Sequence, residues 1–275
     1  MDSLNHFRAQ AIIFDKDGTL IEFDAMWAGW TVRLAGQLHA ASGLNVDGAL
    51  FRALGYDRAN GKVLANGMLA VSSMAQLHKL TVDVMQAAGL NARDATYVVE
   101  RVWCIPDPVT LARPFTDTRA LFDRLRRQHV KIAIATADDR APTQAMVEAL
   151  DIAEFIATMI CADDGMPAKP QPATVRTICE RMNVDPSKAM VVGDTASDMK
   201  MARAAGAGLA VGVLSGVSGA SDLIPYADAI IDSVDSLHGY AALHELDELP
   251  NARKGSHPDP ASPRDTSRVL AADGA

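Results

Sequence analysis

The sequence predicts an α/β protein, with a Rossmann-like open parallel sheet and an all-helical domain inserted after the first strand. Two observations support this fold class. From Phe115 onward, short apolar runs alternate with segments of helical periodicity. Such strands between helices favour a parallel sheet that is covered on both faces. Residues 21–112 break this alternation, because almost all of their patterns are helical, and this marks an insertion.

The individual elements follow from the same patterns. Each predicted strand is a short apolar run, and each predicted helix has apolar residues three or four positions apart. Pro142 suits the first turn of a helix, since its missing N–H would be unpaired there anyway. In chain order the prediction is strand Ala9–Phe14, helix Asp117–Gln128, strand Val130–Ala135, helix Pro142–Leu150, strand Ile156–Cys161, helix Pro172–Met182, strand Ala189–Gly193, helix Ser197–Ala205, strands Gly208–Val213 and Ala229–Ile231, and helix Val234–Leu243.

Three apolar stripes predict the helices of the insert. Helices that bury one face show apolar residues at this spacing. The stripes are Trp27, Trp30, Leu34 and Leu38; Met74, Leu77, Val84 and Ala88; and Ala95, Val98, Val99 and Val102. Two tryptophans on one stripe are more typical of a core than of ligand contacts.

These patterns divide the chain into three parts. Residues 1–20 and 113–249 form the predicted α/β core, and residues 21–112 form the helical insert. Residues 250–275 have too little apolar content to fold alone and are predicted to be a disordered tail. An insert that follows the first strand emerges at the sheet edge where ligands bind, so we expect it to act as a lid.

Composition excludes several functional classes. The 275 residues carry a net charge of −8, which disfavours a nucleic-acid or anionic-membrane surface. The longest apolar stretch, Ala204–Leu214, is too short to span a bilayer, and the first residues do not read as a secretory signal. The 3 cysteines lack metal-ligand spacing, which is typical of reduced thiols in a cytoplasmic protein.

The segment Asp15-Lys16-Asp17-Gly18-Thr19 is the first candidate for chemistry. Two carboxylates at alternate positions after a buried strand point the same way. One can attack phosphorus while the other moves a proton, and a divalent cation can hold the nucleophile and the phosphate together. The alternative for this short motif alone is a solvated acidic turn.

Other strand ends supply complementary groups. Thr136 follows one predicted strand, Lys169 lies before a predicted helix, and Asp194 and Asp198 follow another strand. A hydroxyl and an ammonium suit phosphate, and carboxylates suit a hard cation. Each residue also has an ordinary explanation: Thr136 and the aspartates can cap helices, and a loop lysine is usually solvated. Asp138 and Asp139 would repel phosphate if they pointed inward, so capping of the next helix is their expected role.

With these residues in view, the chain resembles the haloacid dehalogenase superfamily, and within it the phosphoglycolate-phosphatase-like branch with a helical cap. The similarity covers about residues 9–245. It rests on four motifs, which are Asp15-x-Asp17-Gly18-Thr19, Thr136, Lys169-Pro170 and Gly193-Asp194-x-x-x-Asp198. As a set they are specific for the superfamily and much less specific for the substrate.

The resemblance implies a role for each motif residue. Asp15 would be the nucleophile and a Mg²⁺ ligand, and Asp17 the general acid/base, whose backbone carbonyl also binds the metal. Thr136 and Lys169 would bind phosphate. Asp194 would be a metal ligand through its side chain, with Asp198 supporting it. Asp17 argues against a dehalogenase, which resembles this plan but lacks the second aspartate.

Two positions depart from the family pattern. Lys16 stands where many relatives have an apolar residue, and its side chain is expected to point away from the two aspartates. Thr136-Ala137-Asp138 lacks the small polar residue that often follows the threonine. This second departure concerns the detail of the phosphate pocket rather than the chemistry.

The predicted function is a Mg²⁺-dependent phosphatase for a small phosphorylated metabolite, of the phosphoglycolate or sugar phosphate type, acting as a monomer or homodimer. The insert would choose the substrate. The candidate contacts are Trp27, Arg33, Arg52, Arg58, Lys62 and Asn66, and Gly61–Met68 is a candidate substrate-facing loop. Two alternatives remain: a phosphomutase of the same superfamily, and a non-enzymatic signalling module that keeps a phosphorylated aspartate.

Overall fold

A computed structural model describes residues 4, 6–65 and 67–240 of the chain. Six parallel strands form one sheet in the order β5-β4-β1-β6-β7-β8. The strands are β1 Ala11–Phe14, β4 Lys131–Ala135, β5 Ile156–Ile160, β6 Ala189–Gly193, β7 Leu209–Val213 and β8 Ala229–Ile231. This arrangement confirms the predicted α/β fold class.

Helices join the strands, as expected for parallel neighbours. Those of the α/β part are α7 Thr118–Arg127, α8 Arg140–Ala149, α9 Ala173–Met182, α10 Ala196–Ala205 and α11 Ala220–Leu223. Four predicted helices agree with the observed ones to within two residues at each end. They are Asp117–Gln128, Pro142–Leu150, Pro172–Met182 and Ser197–Ala205, which correspond to α7, α8, α9 and α10. The predicted helix Val234–Leu243 is wrong in type: Val234–Gly239 forms a 3₁₀ helix, with residues 241–243 outside the described part.

The region between β1 and α7 is helical, apart from a short antiparallel ribbon. Its helices are α1 Phe23–Ser42, α2 Asp47–Leu54, α3 Met68–Val71, α4 Met74–Ala87, α5 Ala92–Val102 and α6 Pro108–Leu111; the ribbon pairs β2 Tyr56–Asp57 with β3 Lys62–Val63. The stripe of α1 is buried as predicted. In the stripe of α4, Ala88 was also expected to be buried. It is exposed, and α4 ends one residue before it.

The sheet is covered on both faces, and one of the two buried clusters extends into the insert. Ile12 and Phe14 join the cluster that includes Trp27 and Leu34, whereas Ile13 packs on the opposite face. This alternation is the normal consequence of strand geometry. The insert is therefore packed against the core through shared apolar side chains.

All described residues fall within one compact unit. Their helices include none with the length and apolar character needed to cross a bilayer. The cysteines Cys104, Cys161 and Cys179 form no disulfide among the described residues. The predicted tail, residues 250–275, lies outside the described part of the chain.

Candidate active site

The sheet order brings the predicted site residues together. Strand β1 lies between β4 and β6, so the residues that follow these three strands meet at one edge of the sheet. Lys169 reaches the same place from the loop before α9. All six predicted residues line one cleft: Asp15, Asp17, Thr136, Lys169, Asp194 and Asp198.

Lys169 links the first motif to the last. Its Nζ lies 2.6 Å from Asp15 Oδ1 and 2.7 Å from Asp198 Oδ1. The second carboxylate oxygen of Asp198 accepts hydrogen bonds from the backbone N–H and the hydroxyl of Thr195. Asp198 therefore completes the capping box of α10, whose N-cap is Thr195, and also pairs with Lys169.

The buried position of these groups shifts their ionisation. Burial raises the pKa of Asp15 to about 7, although the Lys169 ammonium opposes the shift. Burial also disfavours the charged form of Lys169, but Asp15 and Asp198 outweigh it and raise the pKa of the lysine. Lys169 is therefore a fixed cation beside the candidate nucleophile.

Two glycines allow Asp194 to lie deep in the site. Gly18 has φ +81°, and a Cβ on it would lie 2.5 Å from Asp194 Oδ2. A Cβ on Gly216 would lie 2.0 Å from the same oxygen, so both positions exclude a side chain. The N–H of Val217 donates to Oδ2 at 2.9 Å. In the sequence, this loop after β7 resembles an ordinary glycine turn and carries no signal that it adjoins the site.

The same region fits a divalent cation. Asp194 Oδ1 is buried and has no hydrogen-bond partner among the described residues, and burial raises the pKa of this carboxyl well above its usual range. Oxygens of Asp15, Asp194 and Asp198 lie within 4.8 Å of one another. Since hard cations take carboxylate oxygens, these residues suit Mg²⁺. Asp198 already uses both oxygens, so Asp15 and Asp194 are the better direct ligands.

Thr136 lines the cleft and does not cap the helix that follows it. Its Oγ1 accepts a hydrogen bond from the Asp138 N–H at 3.0 Å, which leaves its own O–H free to donate into the cleft. Helix α8 begins later, after Asp139. The structure thus does not support the alternative that Thr136 caps this helix.

The expectation for Lys16 is wrong. Its side chain is fully buried, and Nζ lies 2.8 Å from Asp17 Oδ2 and 3.0 Å from Asp138 Oδ2. Strand β1 ends at Phe14, so the alternation rule no longer applies at Lys16. The chain turns there instead, with the Leu20 N–H donating to the Lys16 carbonyl.

The expectation for Asp138 is wrong as well. It lines the cleft and pairs with Lys16, while its other oxygen accepts from the N–H of Asp139. Asp139 precedes α8 but makes no capping bond through its side chain. Burial raises the pKa of Asp138, and Lys16 opposes that shift. The Lys16 ammonium, which lies next to Asp17, thus compensates the negative charge of Asp138. That charge was expected to disfavour phosphate binding if it pointed into the cleft.

The cleft has two walls of different chemistry. The core wall contains the charged and hydroxyl groups: Asp15, Asp17, Thr136, Asp138, Lys169, Asp194 and Asp198. The insert wall lies opposite and is mostly apolar: Phe23, Trp27, Leu69, Ala70, Val71, Ser72 and Met74. Trp27, which the sequence favoured as core, is both buried and part of this wall.

The predicted cationic contacts of the insert do not reach the cleft. Arg33, Arg52, Arg58 and Lys62 are exposed and lie outside both walls. Arg58 pairs with Asp47 instead. No described residue of Gly61–Met68 lines the cleft, and Asn66 is outside the described residues. The segment that does line it, Leu69–Ser72, directly follows the predicted loop.

Sequence comparisons identify the family of the chain. The chain matches the model of the haloacid dehalogenase-like hydrolase family over residues 9–206. It is 26% identical over 197 residues to a phosphoglycolate phosphatase of Rhodospirillum rubrum, covering 72% of this chain and 76% of that protein. A plasmid-borne phosphoglycolate phosphatase of Cupriavidus necator is 28% identical over 152 residues, or 55% of this chain and 65% of that protein.

Solved structures show the same fold. A predicted phosphoglycolate phosphatase from Haemophilus somnus superposes with a TM-score of 0.61 at 19% identity, covering 85% of this chain and 98% of that one. A putative β-phosphoglucomutase from Thermotoga maritima gives 0.58 at 20% identity, covering 82% and 95%.

Fold, site and family agree on the class of protein. Strand-end carboxylates with a threonine and a lysine form the candidate phosphoryl-transfer site. The chain belongs to the haloacid dehalogenase-like hydrolase family. It is an enzyme of that family, a phosphoric monoester hydrolase related to phosphoglycolate phosphatases.

Proposed function

We propose that the protein hydrolyses a small phosphate monoester, with Mg²⁺, through a phosphoryl intermediate on Asp15. The observation that carries this proposal is the contact of Lys169 with Asp15 at 2.6 Å, beside the unpaired Oδ1 of Asp194. The nucleophile, a fixed cation and a candidate metal ligand then meet at one point. This supports the roles that the resemblance assigns to these residues.

Each residue has a defined part in the proposed reaction. Asp15 attacks phosphorus, and the bond from phosphorus to the ester oxygen breaks. Asp17 gives a proton to the leaving oxygen and then takes one from the water that hydrolyses the intermediate. Thr136 donates to a phosphate oxygen. Lys169 neutralises charge on the phosphate and the nucleophile.

Asp15 and Asp194 would hold Mg²⁺, with Asp198 in support and the backbone of Asp17 as a further ligand. When bound, the metal would neutralise charge between the carboxylates and the phosphate. The substrate would be a small phosphorylated metabolite, and both phosphoglycolate and sugar phosphates belong to this class. The insert would close over the cleft and exclude bulk water.

The test is phosphate release from a panel of phosphorylated metabolites with Mg²⁺, using wild type and Asp15→Asn. Release by wild type only is expected. Formation of an isomeric sugar phosphate without free phosphate would favour a mutase. A phosphorylated enzyme that persists for minutes, with no turnover, would favour a signalling module.

A further inference from the structure

Trp27 has a hydrogen-bonding group that no described residue of the protein satisfies. Its side chain lines the cleft and is 4% exposed, and its Nε1 is buried without a partner. The neighbouring Trp30 differs, because its indole N–H donates to the Cys104 carbonyl at 2.6 Å. A buried N–H is normally paired, so an unpaired one on a residue that lines the cleft is available to donate to an oxygen of a bound molecule.

A second cavity continues the cleft away from the carboxylates. It has a volume of about 240 Å³ and shares Thr136, Lys169 and Val71 with the first. Its remaining lining is neutral and includes Cys161, Met166 and Thr174. Since it adjoins the phosphate-binding hydroxyl and ammonium, it is suited to the group that carries the phosphate.

The charges of the site limit what this group can be. The core wall has five carboxylates, and Lys169 is the one lysine or arginine among the described residues that line either cavity. Lys169 is already paired with Asp15 and Asp198. A second anionic group on the substrate would be buried without a cation beside it, which is strongly unfavourable.

We propose that the substrate is a phosphate monoester whose leaving group is uncharged and hydroxyl-bearing, and that the indole N–H of Trp27 donates to an oxygen of that group. This inference rests on the proposed phosphatase function and narrows its substrate class. It places polyol and sugar phosphates above esters that carry a carboxylate, phosphoglycolate included. Selection then depends on a neutral insert wall rather than on the exposed arginines.

The first test compares esters that differ mainly in charge. Glycerol 3-phosphate is paired with 3-phosphoglycerate, and glycolaldehyde phosphate with phosphoglycolate. In each pair kcat/KM should be at least about tenfold higher for the uncharged leaving group. Equal values, or a preference for the carboxylates, would overturn the inference while leaving the phosphatase function intact. Absence of phosphate release from all four esters and from p-nitrophenyl phosphate would count against the function itself.

The second test removes only the N–H of Trp27. Trp27→Phe keeps an aromatic ring in the insert wall. It should raise KM for glycerol 3-phosphate about tenfold, and leave KM unchanged for ethyl phosphate, which has no hydroxyl to accept the bond. An equal change for both esters would show that Trp27 acts only through packing and would remove it from the proposal.

The third test introduces a positively charged side chain on the insert wall. Ser72 is a half-exposed residue of the insert wall. Ser72→Arg should raise the kcat/KM ratio of 3-phosphoglycerate to glycerol 3-phosphate about tenfold, because a guanidinium pairs with a carboxylate. Ser72→Gln adds comparable bulk without charge and should not raise this ratio. A similar rise with glutamine would contradict the electrostatic argument.

Discussion

The core wall and the insert wall of the cleft differ in how their side chains are held. Beside the core wall, Lys16 is buried and pairs with Asp17 and Asp138. On the insert, charged residues such as Arg58 are exposed outside the cleft, and the cleft receives apolar groups. The comparison indicates that the charged groups of the core wall are fixed for one reaction. On the insert wall, we expect substitution of a single neutral residue to change which substrate is selected.

The largest expected effect comes from the candidate nucleophile. Asp15→Asn should lower kcat by about 10⁴- to 10⁶-fold, the range seen when a catalytic group is removed. Phosphate release under Mg²⁺ measures it. Asp83→Asn changes an exposed carboxylate of the insert and is the matched control, with turnover unchanged. Substantial turnover by Asp15→Asn would remove Asp15 as the nucleophile.

The second prediction compares a buried with an exposed ion pair. Lys16→Met leaves Asp17 and Asp138 without their cation and should lower the free energy of unfolding by about 3–5 kcal/mol. Arg58→Met breaks an exposed pair and should cost about 0–1 kcal/mol. Urea unfolding of both variants measures the difference. Comparable losses would show that the buried ion pair beside the core wall stabilises the fold no more than the exposed pair on the insert.

A double variant sharpens this result. In Lys16→Met/Asp138→Leu, one of the two stranded carboxylates is also removed. The combined loss should be smaller than the sum of the two single losses, since the residues are in contact. Simple additivity of the free energies would indicate that the Lys16–Asp138 pair is not coupled.

The third prediction concerns metal and pH. Because burial raises the pKa of Asp15 to about 7, the folded metal-free protein keeps a proton there that the unfolded chain has lost. This contribution to stability falls as pH rises from the unfolded value of about 3.9 to about 7. Mg²⁺ must displace that proton, so its stabilising effect should be larger at about pH 8 than at about pH 6.

Thermal unfolding with and without Mg²⁺ measures this difference. At a Mg²⁺ concentration of about 100 times Kd, the gain should approach about 2.7 kcal/mol. EDTA should reverse it and stop turnover. Asp194→Asn should largely abolish the Mg²⁺-dependent shift. A shift of equal size at both pH values would contradict the role of Asp15 as a metal ligand.

The smallest effect is expected from the exposed cations of the insert. Arg33→Ala and Arg52→Ala change residues outside the cleft, so kcat/KM should stay within about twofold of wild type. Steady-state kinetics on the preferred ester measures this. A large loss in either variant would show that the insert recognises charge after all.

The two walls also differ in how far the sequence predicts them. The core-wall residues Asp15, Thr136 and Asp194 directly follow apolar strands, and parallel pairing brings such positions to one edge. A pattern of strand ends was therefore enough to find them. The insert wall gave no such signal, because Leu69 and Met74 have the apolar character of any buried helix residue.

Lys16 shows a different limit of sequence reasoning. Strand alternation places it opposite Asp15 and Asp17, but the strand ends before it, and a long side chain can turn back to its neighbours. The useful signal was charge balance: a lysine inside the first motif and an aspartate two residues after Thr136 complement each other. The Lys16–Asp138 contact thus explains the first departure from the family pattern, the lysine inside the first motif.

The most direct test of the account is to trap the phosphoryl group. Wild-type protein is mixed with its preferred ester and Mg²⁺, quenched in acid within the first turnover, and digested for mass spectrometry. If Asp15 is the nucleophile, one phosphoryl group is expected on the peptide that contains it. The group should be located on Asp15 and should be absent from Asp15→Asn. Turnover without a phosphorylated peptide, or a phosphoryl group on another residue, would contradict it.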